Sequence, residues 1–185
     1  HTKTFEDLKT TVKRLSDIGF QTLQYSIPES FDEKEVKRLF DEYGIVNDSV
    51  FCPVLKIEER TKDIISQCEL FDTKYVRIES IPGGLTNAAG GYRCFAHYLN
   101  ELCTELKKHQ IKLVYHFHAF EFRRFGNKTG IDILLDETDP EGIQIIPDTH
   151  WIHSGGKSIT EFLAKYSDRF DYIHTKDFAI GAQGA

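Results

Sequence analysis

Five of the eight histidines in the 185-residue chain, His116, His118, His150, His153 and His174, lie after residue 115, each at or just beyond a β-prone run. In Leu113-Val114-Tyr115-His116-Phe117-His118 the two histidines are two positions apart. On a strand they therefore leave by one side, while Leu113, Tyr115 and Phe117 leave by the other. Asp148 follows the run Ile145-Ile146-Pro147, and His174, Lys176 and Asp177 follow Tyr172-Ile173. Imidazole nitrogen with carboxylate oxygen is a donor set for Zn²⁺, Mn²⁺, Fe²⁺ or Co²⁺, and ligands from neighbouring strand ends can meet on one ion. Plainer uses exist for each residue alone: a strand-end His commonly makes a structural hydrogen bond, and Asp before Thr can cap a turn. Clustering on three successive strand ends favours a site, although no local motif such as HExxH is present.

Other residues carry less. Glu121, just past the histidine strand, suits acid/base work or substrate binding, or is a solvated loop carboxylate. Arg123 and Arg124 could meet an anionic substrate but read more simply as a solvated basic pair. Trp151, the single tryptophan, could stack on a sugar ring or serve the core or a lid. Gly83-Gly84 and Gly155-Gly156 lack the Lys and Ser/Thr of a phosphate loop and read as turns.

The elements that must position these residues follow from periodicity. Phe5, Leu8, Val12, Leu15 and Ile18 predict an amphipathic helix over 5–18, with Thr4 as N-cap and Gly19 as stop. A second helix is expected over 32–43, ended by Gly44, and another over 91–109. Strands are predicted to begin near Phe20, Ile45, Tyr75, Lys112, Ile143 and Phe170, at intervals of 25 to 37 residues. Such alternation is the pattern of βαβ units and a parallel sheet. No linker divides the chain, so residues 1–185 read as one domain. No GxGxxG follows the first strand, which removes the dinucleotide fold. Six units amount to three quarters of an eight-stranded barrel. The expectation is an α/β, (β/α)₈-type barrel, incomplete, with about one unit lacking at each end.

Composition limits the partners. Lys plus Arg number 23 and Asp plus Glu 29, a net charge of −6, with no long basic run, so a nucleic-acid backbone is disfavoured. Apolar runs fall well short of the roughly 20 residues needed to span a bilayer, and no signal-peptide pattern is seen. Cys52, Cys68, Cys94 and Cys103 have no CxxC spacing, so a reducing, cytoplasmic setting is expected. With His1 first and no Met anywhere, the chain reads as a piece of a longer polypeptide.

The segments YHFHAFEF (115–122), KTGIDILLDETDP (128–140), PDTHWIHSGG (147–156) and IHTKDF (173–178) resemble the sugar phosphate isomerase/epimerase family of xylose isomerase-like barrels. The resemblance implies an eight-stranded barrel with one divalent metal, Mn²⁺, Co²⁺, Mg²⁺, Zn²⁺ or Fe²⁺, that grips adjacent oxygens of a sugar. Carried over by position, the ligands are His116, Asp148 and His174, with a fourth, usually Glu, falling beyond Ala185. His116 stands where many members have Glu, so a two-glutamate proton shuttle does not carry over. Glu121, His118 and His150 are the acid/base candidates, and Trp151, Lys176 and His153 the substrate-binding ones. The implied activity is isomerisation or epimerisation by proton abstraction beside a metal-polarised carbonyl. The alternatives are an inosose-type dehydratase, a non-catalytic carbohydrate-binding barrel, and a phosphodiesterase like the abasic-site endonucleases, against which the acidic balance argues. The implied partner is a small sugar or cyclitol, and self-association into a homo-oligomer is compatible with the pattern.

Overall fold

The first helix shows how local chemistry sets an element. Thr4 and Asp7 exchange backbone and side-chain hydrogen bonds in a capping box, helix α1 runs Phe5–Ile18, and Gly19 at φ 105° ends it in the left-handed region that glycine adopts without strain. The computed structural model describes residues 4–177. Two-residue strand β1 (Thr22–Leu23) follows, then α2 (Glu33–Glu42) capped by Asp32, β2 (Val46–Asn47) and β3 (Val50–Phe51). After them come α3 (Ile57–Phe71), β4 (Tyr75–Ile78), α4 (Ala89–Lys108) and β5 (Lys112–His116). A short 3₁₀ turn at Ala119–Phe122 leads into an antiparallel ribbon, β6 (Arg124–Phe125) with β7 (Lys128–Thr129). Helix α5 (Gly130–Glu137), β8 (Ile143–Ile146), α6 (Thr149–Ser154) and α7 (Ile159–Lys165) complete the series.

All pairings except the ribbon are parallel: β1 with β2, then β3-β4-β5-β8. The segment 45–51 is one stave that pairs backwards with β1 and forwards with β4, interrupted at Asp48-Ser49. The strand expected near Phe170 is the exception to the sequence reading. It is reduced to an isolated parallel bridge between Asp148 and His174, backed by a hydrogen bond from Ile145 N to Arg169 O at 2.8 Å. Six staves are thus present and, among the described residues, the sheet does not close, so the barrel is incomplete. Phe178 of the IHTKDF segment lies outside the described residues.

Strand alternation sorts the side chains into two environments. Val76, Ile78, Leu113, Tyr115, Ile143 and Ile145 join the large hydrophobic core shared with α3, α4 and α5. Their strand neighbours Arg77, Val114, His116, Gln144 and Ile146 face the other way, towards the barrel axis. A smaller core unites Leu8, Val12, Val36, Leu39, Phe40, Ile45 and Phe71 beneath α1 and α2. All four cysteines are unpaired, three of them buried. Among the described residues no helix is long and apolar enough to cross a membrane.

Candidate metal centre

Register brings the strand-end residues together. His116, the last residue of β5, lies opposite Ile146 of β8, and two residues later Asp148 forms the bridge to His174. The backbone fixes that bridge with His174 N to Pro147 O at 2.8 Å and Thr149 N to His174 O at 3.0 Å. The two carboxylate oxygens of Asp148 then divide their tasks. Oδ1 caps α6, accepting from His150 N at 3.0 Å and Trp151 N at 3.4 Å. Oδ2 faces His116 Nε2 at 3.2 Å, His174 Nδ1 at 3.8 Å and Lys176 Nζ at 2.6 Å. Ligand atoms of His116, Asp148 and His174 all lie within 4.8 Å of one another. Donors about 2.0–2.2 Å from a shared ion stand roughly 3–4 Å apart, so closing the triad takes small side-chain movements. Two imidazoles with one carboxylate suit a borderline divalent cation, and the Lys176 ammonium against Oδ2 marks that oxygen as a cation-binding position.

Burial and neighbours set the protonation states this chemistry needs. Burial pushes His116 down to about 4, outweighing the hydrogen bond to Asp148 that favours its charged form. His174 and His118 are lowered, again chiefly by burial, so all three rings are neutral at neutral pH, and the His116 hydrogen that Nε2 donates to Asp148 would have to move to Nδ1 for Nε2 to ligate an ion. Burial alone would raise Asp148, but hydrogen bonds from Lys176 and His116 hold it below the ordinary carboxylate value.

Around the triad stands a partly aromatic wall. The His118 ring lies 5.0 Å from His116, 5.1 Å from Trp151 and 5.7 Å from Phe120, on which it stacks. Lys176 Nζ sits 5.7 Å over the Trp151 ring. His150 is half-buried, with its ring 4.7 Å from Trp151 and Nε2 3.4 Å from Ser154 Oγ. His153 is exposed, one helical turn further on, and Arg123 and Arg124 are exposed as well. Gly155 closes α6 against Phe122, where a Cβ would overlap the ring, and this contact seats the helix that Asp148 caps.

Glu121 is the sequence candidate that lies apart, and it is no solvated loop carboxylate either. It is fully buried, accepting from Tyr115 Oη and from His118 N at 2.9 Å. Tyr115 is on the core face of β5, opposite to His116, so the Glu121 carboxylate lies behind the strand. Burial raises it to about 7 against those two hydrogen bonds.

Two axial residues were not singled out from sequence. Gln24, just after β1, accepts from His174 Nε2 at 2.9 Å. Arg77, buried on β4, donates to Ser26 Oγ at 2.9 Å, pairs with Glu79 and lies 5.0 Å over the Phe51 ring. Both had a signal available: polar Thr22, Gln24 and Ser26 at a two-residue period, and a lone Arg inside the apolar run Tyr75–Ile78.

A family model described as xylose isomerase-like TIM barrel matches residues 12–184. The inosose dehydratase of Geobacillus kaustophilus is 27% identical over 195 residues, covering 90% of this chain and 60% of that protein. The chain therefore spans less than two thirds of that curated relative. A sugar phosphate isomerase/epimerase from Parabacteroides distasonis superposes with a TM-score of 0.83 at 20% identity, over 97% of this chain and 72% of that one. The IOLI protein, solved with a bound zinc atom, superposes at 0.70 with 12% identity, over 95% and 70%. At these identities the structural likenesses speak for the fold.

Proposed function

The chain belongs to the xylose isomerase-like TIM barrel family, and from that premise we propose that it forms part of a divalent-metal-dependent lyase that removes water from a keto-cyclitol. The observation that carries this reading is the convergence of His116, Asp148 and His174 within 4.8 Å at the barrel mouth. The choice of dehydration over the isomerisation or epimerisation first expected rests on the relative named inosose dehydratase. Both reactions begin by removing a proton beside a carbonyl, so the same residues serve either.

His116 Nε2, Asp148 Oδ2 and His174 Nδ1 would hold the ion, which when bound would polarise the substrate carbonyl and stabilise developing negative charge. His118 is the base in this reading: its ring borders the triad, is neutral because burial lowers it, and stays partly open to the mouth. It takes the α-proton, the electron pair forms the new C=C bond, and the β-hydroxyl leaves as water after protonation. His150, on the first turn of α6, is the candidate donor of that proton. Trp151 offers an apolar platform to the C–H face of the ring, and Lys176 donates to a substrate oxygen. Glu121 acts indirectly, holding the His118 backbone through its 2.9 Å hydrogen bond. A reducing, cytoplasmic setting suits the four unpaired thiols.

The test uses the full chain loaded with Mn²⁺ or Co²⁺ and a keto-cyclitol in D₂O, followed by NMR. Exchange of the α-proton together with loss of one water is expected. Exchange without water loss would return the reading to isomerisation, and no exchange by metal-loaded protein would overturn both.

A further inference from the structure

We propose that Gln24 is a positioning residue for the candidate centre: its side-chain carbonyl accepts the Nε2–H of His174 and so fixes the tautomer whose Nδ1 lone pair faces Asp148. A neutral imidazole carries one N–H, and which nitrogen holds it is set by the hydrogen bond the ring makes. Gln24 Oε1 can only accept, and it lies 2.9 Å from His174 Nε2. At 3.8 Å from Asp148 Oδ2, Nδ1 is too far to be donating to it. The ring is thus oriented with its hydrogen on the Gln24 side and its lone pair on the side of Asp148 and His116.

The orientation of the Gln24 amide has its own cause. Its Nε2 is buried and makes no hydrogen bond of ordinary geometry, yet it lies near enough to the Asp48 carboxylate to stabilise it. Turning the amide over would set its oxygen against that carboxylate, an unfavourable encounter, so Asp48 decides which way the amide faces. Asp48 is held in turn by Ser49 Oγ, 2.9 Å from its Oδ1. The resulting line of contacts, Asp48 to Gln24 to His174, joins residues 150 positions apart and ties the first described stave to the last. Partners behind a ligating histidine orient the ring and fix its tautomer, and losing one typically weakens metal binding 10–100-fold.

The consequence for metal rests on the ligand reading given above, whereas the tautomer does not. The metal-free full chain, labelled with ¹⁵N-histidine, reports the tautomer through two-bond ¹H–¹⁵N correlations, with His174 assigned by comparison with His174→Asn. The Nε2–H pattern is expected in the parent. Gln24→Leu should mix the tautomers and weaken Zn²⁺ binding by calorimetry about 10–100-fold. Gln24→Glu combined with Asp48→Asn keeps an acceptor towards His174 without opposing two carboxylates and should restore the parent pattern, which also guards against a fold-disrupting Leu. An Nδ1–H pattern in the parent, or an unchanged pattern in Gln24→Leu, would overturn the assignment. Unchanged Zn²⁺ affinity in Gln24→Leu would overturn the positioning role. A tautomer that responds as expected in a protein that binds no Zn²⁺ in any form would uphold the Gln24 contact and defeat the metal reading instead.

Discussion

Asp148 and Glu121 are both completely buried carboxylates, yet they lie on opposite sides of strand β5 and are driven in opposite directions. Asp148 meets Lys176, His116 and two backbone amides, and these donors hold it ionised below the ordinary value. Glu121 sits among core residues with a phenol and one amide for company, and burial carries it up to about 7. Burial does not by itself decide whether a carboxylate keeps its charge; the number and charge of its donors do. The axial face of the sheet therefore holds a fixed anion able to bind a cation, and the helix-covered face holds an acid that is partly protonated at neutral pH.

The largest expected effect tests the core side. Glu121 is raised in the folded state, so the fold retains a proton that the unfolded chain gives up. The advantage is complete below about pH 4.5 and lost as pH rises through about 7, amounting to roughly 3 kcal/mol. Urea unfolding should accordingly show Glu121→Gln gaining on the parent between pH 4.5 and 8, with metal affinity unchanged; parallel stability curves would mean that Glu121 is not perturbed. On the axial side, Asp148→Asn should weaken divalent-metal binding at least about 100-fold, roughly 3 kcal/mol, while keeping its α6 cap and melting within a few degrees of the parent. Full metal occupancy in that variant would remove Asp148 from the ligand set. Tyr115→Phe takes one donor from Glu121 and the acceptor from Ile81 N, and should cost about 1–2 kcal/mol in denaturant titrations without touching metal affinity. A loss of metal binding there would show that the two faces are coupled. Smallest is Lys176→Met: with the ammonium gone from Asp148 Oδ2, calorimetry should find metal binding tightened about threefold, and weaker binding would mean that Lys176 supports the site rather than competes for it.

Local pattern determined much of this molecule. The apolar period from Phe5 to Ile18, with Thr4 before it and Gly19 after it, defines α1 to the residue, because capping and helical periodicity involve only near neighbours. The alternation of strand and helix gave the parallel order, and the two-residue spacing of His116 and His118 placed both rings on one side of the strand, 5.0 Å apart. Tertiary structure alone decided the rest. The stave near Phe170 is a single bridge, and β1 has only two residues, because pairing length depends on the neighbouring stave rather than on β-propensity. Glu121 reads from sequence as an acid/base residue or a loop carboxylate but folds back beneath Tyr115, an outcome set by how the 3₁₀ turn packs. The approach of Gln24 to His174 across 150 residues, and the division of Asp148 between a helix cap and a cation, arise from strand register. Period and spacing state which side of its own element a residue takes; only the packing of elements states which other residue it meets there.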